Sequence, residues 1–513
     1  MRASLLARLL ALAAVTGFAL AVSPGRASAA EDAGALMAKH AAYVGWHAGD
    51  GVVKTLKQTG EATRDGKVVR SFSLLRYGGA YRETFEYPNG LHYDEGFTGT
   101  IAWASNENGF TVRALGEVVR AQFSIDALFA ETTATPEFTA ALHGTGKVDG
   151  TEYPIVRLTS KVSLPIDAWV DPATGAYRRV VIDPDGKYED SFDGLGYSEV
   201  GGKRFLTAWR HGDSKVRSAY TRTEPNAKIE PDELRPPKQT ATWTFGKAPA
   251  QIEYTDQPVP RIYIDLLVNG RKGKFILDTG AANTAVVDSF LRAAGGKRFG
   301  TTAITGIGGN ESRANLFRID TLAVGDSTLH DVVVSSGLDE QDFQRMGVAG
   351  IVGFDLLAGA IAELSLDAKT LHVMDPAKVA PDEHAGLVVH VDLSDFHIRT
   401  PMRLDDKYDV IATLDSGNPA DVLFSRDLIK RDKLDFTTRY EAYIYGLGGS
   451  ELAHCGKLKS LSLGPVRYTT PTACDSPSFA RNEILVGLDF MRAFNYVFDY
   501  PDGLVVMIPR KNY

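Results

Sequence analysis

Two acidic tripeptides in this chain share the same setting. Phe275-Ile276-Leu277 runs into Asp278-Thr279-Gly280, and Ile411-Ala412-Thr413-Leu414 runs into Asp415-Ser416-Gly417. An apolar run that ends in an acid, a hydroxyl and a glycine reads as a buried strand delivering one carboxylate into a tight turn. One such carboxylate alone is better explained as an Asp capping its own turn. Two of them within a hydrogen bond of each other have chemistry. They cannot both ionise cheaply, so they share one proton and offer a base and an acid together. Attack of water on an amide needs that combination when neither a metal nor a covalent nucleophile takes part. Asp278 and Asp415 are the candidate catalytic residues, titrating as a pair.

The neighbourhoods of the two tripeptides repeat as well. From Asp278 to Asp415 is 137 residues. Gly306-Ile307-Gly308-Gly309 is matched by Gly446-Leu447-Gly448-Gly449, and Val352-Gly353-Phe354-Asp355 by Val486-Gly487-Leu488-Asp489. Three landmarks in one order at nearly one spacing indicate an internal duplication. The period is too long for a solenoid, so each copy is expected to be a small lobe, with one Asp from each meeting across a pseudo-two-fold axis.

Each copy resembles a retropepsin-type aspartic protease lobe: hydrophobic run, Asp-Thr/Ser-Gly, glycine-rich flap, then two apolar residues and Gly. The resemblance covers about residues 258–513. Retroviral enzymes dimerise one lobe, whereas this chain resembles the fused arrangement of pepsin-like proteases with a glycine-rich flap in both halves. The resemblance implies that the Thr279 and Ser416 hydroxyls hydrogen-bond to the opposite lobe. It also implies that Gly306, Ile307, Gly308 and Gly309, with Gly446, Leu447, Gly448 and Gly449, form flaps over an extended peptide. Gly280 and Gly417 allow a close backbone approach, and Gly353 and Gly487 are expected to do so behind the active turns. Neither glycine loop carries the Lys-Ser/Thr of a phosphate-binding loop. Asn418-Pro419 departs from the small residue usual after the tripeptide; an Asn there can hydrogen-bond the pair and alter its titration, or mark a weakened lobe. Asp355 and Asp489 read as helix caps.

The elements that position these groups follow from the rest of the chain. Its 513 residues suggest about three domains. Residues 1–29 read as a signal peptide: Arg2 and Arg8, an apolar run from Leu9 to Val22, and Ala27-Ser28-Ala29. That places the protein in the periplasm or outside the cell, with no stable membrane insertion once the signal is removed. Gly347 to Leu364 is apolar but holds Asp355 and Glu363, so it reads as lobe core rather than a span. Residues 30–230 show one helix near Glu31–Trp46, then strand-like runs separated by Asp65-Gly66, Asn89-Gly90, Asp149-Gly150 and Asp185-Gly186 turns. This predicts an α+β domain, an antiparallel sheet curved over a helix, and resembles the half-barrels of periplasmic lipoprotein carriers. His40 and His47 read as helix-surface or boundary residues, and the aromatics as sheet core. Residues 231–257 read as a linker, 258–380 as lobe 1 and 381–513 as lobe 2. The fold class expected is mainly β: two acid-protease β-barrel lobes in tandem after an α+β antiparallel-sheet domain.

A net charge of −8 gives no reason to expect nucleic acid as a partner. No His-Glu-x-x-His or Cys-x-x-Cys pattern is present, so neither metal nor cofactor is expected. The two cysteines, Cys455 and Cys474, fall opposite each other if Leu458–Leu463 and Val466–Thr472 pair about Gly464-Pro465. An oxidising compartment would then join them, the alternative being two buried free thiols. The function expected is aspartic endopeptidase on a polypeptide substrate, with one chain sufficing as a monomer. The alternative is a non-catalytic periplasmic protein that binds peptide or lipid on the same scaffold.

Overall fold

The computed structural model describes residues 32–511 except 185, 187, 213, 256–258, 305, 307–311, 395, 427, 430–433, 435, 447–448 and 480–482, and only the backbone of 303, 304, 312, 445 and 483. The expected signal peptide and the flap tips Ile307, Gly308, Gly309, Leu447 and Gly448 lie outside the described residues. What is described is mainly β.

The amino-terminal part is a 13-stranded antiparallel sheet in which the hairpins follow one another and Thr55–Arg64 pairs with Val216–Pro225. The helix Ala33–Val44 is the expected one, with Asp32 accepting from the Ala35 N–H at its start and Gly45 left-handed at its end. A second helix, Glu117–Phe129, was not anticipated, although Val118, Ala121, Ile125 and Leu128 have helical spacing. Both helices pack on the same face of the sheet, with Leu36, Met37, Ala121 and Leu128 in one core with Phe72, Leu158 and Val180. His40 is fully buried rather than at the helix surface. Its ring stacks on Tyr177 (centroids 3.7 Å apart), its Nδ1 lies 2.9 Å from Gly175 O, and its Nε2 lies 3.3 Å from Glu131. Three partners from two distant stretches account for that burial, and none of them is visible in local spacing.

The first repeat begins with Arg261–Val268, whose Ile262, Ile264, Leu266 and Val268 face the core in strict alternation. Asn269 and Gly270, both at positive φ, turn the chain into Arg271–Leu277. Phe275, Ile276 and Leu277 are all buried because that strand has neighbours on both sides, Arg261–Val268 antiparallel and Gly350–Val352 parallel. The second repeat is built the same way. Arg399–Leu404 pairs antiparallel with Tyr408–Leu414, which pairs parallel with Glu483–Val486. The apolar stretch from Gly347 to Leu364 is a short strand, one helical turn and the strand Ile361–Ser365. No helix among the described residues is long and apolar enough to cross a membrane.

The repeats are joined by strand pairing. Ile361–Ser365 pairs with Phe494–Asp499, so the carboxy-terminal strands continue the sheet of the first repeat. The stretch read as a linker also carries structure. Thr242–Thr244 pairs with the hairpin strand Ser327–Ser335, and Ala250–Thr255 pairs with Arg261–Val268. Trp243 fixes it further by donating its indole N–H to Ala358 O at 2.9 Å. One core runs through both repeats and takes in Ala104, Phe110 and Val112 from the amino-terminal sheet.

Candidate active site

Each active strand ends where its parallel partner runs beside it. The Asp278 N–H donates to Val352 O and the Asp415 N–H to Val486 O, both at 2.9 Å. The two turns are then locked to each other. The Thr279 N–H donates to Ser416 Oγ (3.0 Å) and the Ser416 N–H to Thr279 Oγ1 (3.0 Å). The hydroxyls complete the cross-link, Thr279 Oγ1 donating to Leu414 O (2.7 Å) and Ser416 Oγ to Leu277 O (2.9 Å). All four bonds cross from one repeat to the other, and Thr279 and Ser416 are buried. Such bonds shielded from water fix geometry firmly.

The lock brings the two acids together. Each carboxylate accepts from the glycine N–H of its own turn at 2.9 Å, Gly280 to Asp278 and Gly417 to Asp415. Each also faces the glycine of the other turn. A Cβ on Gly280 would stand 2.3 Å from the Asp415 carboxyl carbon, and one on Gly417 2.3 Å from that of Asp278. Each carboxyl thus lies against the other's turn, within range for the two acids to act on each other. Burial pushes both up from the ordinary carboxylate range, and the Asp278 charge adds to the rise at Asp415. The pair therefore keeps a proton to higher pH than an isolated carboxylate would.

Gly353 and Gly487 stand where the later strands pass behind the turns. A Cβ on Gly353 would meet Ala281 O at 2.3 Å, and one on Gly487 would meet Ala420 O at 2.0 Å. Asn418 does not turn its side chain to the acids. Its backbone N–H donates to Asp415 Oδ1 (3.1 Å), while its Oδ1 accepts from the Ala420 N–H, and its buried Nδ2, on the Gly487 side, has no hydrogen-bond partner among the described residues. Asp355 is not a helix cap. The turn Phe354–Leu357 has no side-chain cap bond, and the Asp355 carboxylate instead accepts from the Thr284 N–H at 2.7 Å. Asp489 lies 3.3 Å from Arg492 of its own turn.

Of the flap residues, Gly306 lies between Lys297–Ile304 and Ser312–Val324, and Gly446 pairs with Gly449 at the end of the hairpin Thr438–Gly446 and Gly449–Lys457. Cys455 and Cys474 form a disulfide with Cα atoms 4.1 Å apart, directly opposite each other between Gly449–Lys457 and Thr472–Ser476. The register is the one read from the sequence, but the ladder is interrupted near Leu458, so the cysteines belong to a separate strand pair.

Sequence reasoning missed Arg261. It is half-buried, and burial lowers its pKa while the charges of Asp278 and Asp415 oppose that. The available signal was an Arg opening the first strand of both repeats, Arg261 and Arg399.

A family model described as aspartyl protease matches residues 264–356. That span holds Asp278, Thr279, Gly280 and Gly353 of the geometry just described. No curated protein matches the chain. Among solved structures, a DUF1329 family protein from Desulfovibrio piger aligns at 15% identity, covering 40% of this chain and 95% of that one, with a TM-score of 0.28.

Proposed function

We propose that the protein is an aspartic endopeptidase whose water is activated by Asp278 and Asp415 together. The observation that carries this reading is the reciprocal lock of Thr279 and Ser416 with the two glycines that admit the opposing carboxyls. A carboxyl pair holding one proton takes a proton from water with its ionised member and gives one to the leaving nitrogen with the other. The two repeats are read as tandem retropepsin-like lobes, so that one chain carries a whole site. The substrate is an extended polypeptide lying between the flaps and the acids, held partly by backbone hydrogen bonds. The disulfide fits a periplasmic or secreted setting.

Digestion of an unbiased peptide library tests this. Asp278→Asn and Asp415→Asn are each expected to lower cleavage by about 100- to 10,000-fold while leaving the circular dichroism spectrum unchanged. Full activity in either variant would refute the shared site. Peptide binding with no cleavage by the unaltered protein at any pH would favour the binding alternative.

A further inference from the structure

The first repeat does not hold up its active turn alone. In the amino-terminal sheet, Ala102–Ser105 and Thr111–Arg113 are joined by Asn106-Glu107-Asn108-Gly109-Phe110. Gly109, at φ +74°, closes this turn, and a Cβ there would meet Thr240 N at 2.7 Å. Asn106 Oδ1 accepts from the Asn108 and Phe110 N–H groups (3.1 and 3.0 Å), which fixes the turn's shape. Both asparagine amides then reach into the first repeat. Asn108 Nδ2 donates to Asp355 Oδ1 (2.9 Å) and Val333 O (3.1 Å), and its Oδ1 accepts from the Val333 N–H (2.7 Å). Asn106 Nδ2 donates to the same Asp355 oxygen at 3.1 Å.

Asp355 passes this support on. Its other oxygen accepts from Thr284 N–H, and Phe354 N–H donates to Ala281 O at 3.0 Å. Ala281 and Thr284 bound the loop that leaves the Asp278 turn. Asn108, Thr284 and Asp355 have no exposed surface, and Asn106 is 3% exposed. The second repeat is arranged otherwise. Asp489, in the place of Asp355, is half-exposed and pairs with Arg492. Asp421, in the place of Thr284, accepts from Tyr468 Oη (2.8 Å) and the Thr472 N–H (2.6 Å) of its own repeat. One repeat is braced from within, the other from the amino-terminal domain.

From this asymmetry we infer that the amino-terminal domain is a working part of the active site, with Asn108 and Asn106 as positioning residues that act through Asp355 on the Asp278 turn. The inference rests on the proposed dyad. Interdomain adhesion alone would also bury these amides, and the test separates the two roles.

In the full chain, Asn108→Ala is expected to lower kcat by about 10- to 100-fold with KM changed less than about threefold, because loosening one acid misplaces the reacting groups rather than the peptide. Asn106→Ala, which keeps the bonds of Asn108 to Val333, is the second variant if Asn108→Ala does not fold. Hydrogen exchange supplies a readout independent of activity. The amides of 278–284 are expected to exchange faster in Asn108→Ala, or in Asn106→Ala, with those of 415–421 unchanged. Unaltered exchange at 278–284 in a folded variant, or full kcat together with lowered stability, would overturn the positioning role. If instead Asp278→Asn leaves cleavage intact, the dyad reading fails, whatever the exchange data give.

Discussion

At Gly280 and Gly417 even one added methyl group reaches the opposing carboxyl, since the nearest atoms lie at 2.3 Å. Gly417→Ala is expected to cost about 100-fold in kcat by forcing the acids apart, with little change in the far-ultraviolet spectrum. Steady-state kinetics beside circular dichroism check this, and unchanged kcat would mean that the turns can part without penalty. The raised carboxyls set a pH dependence. Because both members of the dyad are pushed up, the singly protonated pair persists above the ordinary range of about 4. Activity should therefore fall on an alkaline limb above pH 4, and a limb at or below that value would contradict the assignment. Stability follows the same sign. Asp355 is pushed up to about 7 by burial and then by the Glu107 charge, and Glu83 to about 8 by burial and then by Glu95, its cross-strand partner. A carboxyl whose folded pKa is raised stabilises below its unfolded value and loses that contribution as pH rises through the folded one. Melting temperature is thus expected to decline from about pH 4 to 8. Glu83→Gln should flatten the upper part of that decline, and an unchanged slope in this variant would exclude Glu83 as a cause.

Among elements, the two hairpins proposed as flaps differ in how they are rooted. In the second repeat the disulfide ties Gly449–Lys457 to Thr472–Ser476, and Asp475 next to it accepts from Arg426 and from the His454 N–H. The first repeat has no cysteine to do the same. The bond closes a loop of 19 residues in sequence separation, worth on the order of 3 kcal/mol through the unfolded chain. Cys455→Ser, Cys474→Ser together should lower unfolding free energy by about that amount in denaturant titrations. The same change should also open 438–457 to hydrogen exchange. Alkylation of both thiols in protein never exposed to reductant would show that the bond does not form in its native compartment.

On the scale of the whole molecule, strand pairing and a common core decide what can be separated. If the expected linker at 231–257 were a plain domain boundary, a chain starting near Gln251 would fold by itself. Such a chain loses Ala104, Phe110 and Val112 from the core of the repeats, Leu91 from its contact with Leu316 and Val333, and the Asn106 and Asn108 amides from Asp355. It would expose apolar surface worth about 25 cal/mol for each Å² uncovered and leave the Asp355 carboxylate short of two donors. The expected outcome is an insoluble product, and a soluble one with a cooperative thermal transition would show that the repeats stand alone. The pairing of Ile361–Ser365 with Phe494–Asp499 holds the two halves in one chain. Activity per molecule should accordingly be independent of dilution, and a second-order loss would mean that the halves pair between chains.

The sequence by itself determined the parts whose cause is local or repeated. Alternation gave Arg261–Val268, and apolar runs ending in Asp-Thr-Gly and Asp-Ser-Gly marked where two strands deliver their acids. The duplication implied that those acids have equivalent places, and pairing about Gly464-Pro465 set Cys455 opposite Cys474. What pairs with what across hundreds of residues was decided only in the tertiary structure, because hydrogen-bond partners are chosen by proximity and not by spacing along the chain. Hence His40 went inside against Gly175 and Glu131, the Asp355 carboxylate took the Thr284 N–H rather than capping its own turn, and the Asn418 side chain turned from the acids. The bracing of the first repeat by Asn106 and Asn108 has the same origin. Each amide finds its carboxylate nearly 250 residues away, at separations of 249 and 247, and a buried carboxylate must take its donors wherever the fold supplies them.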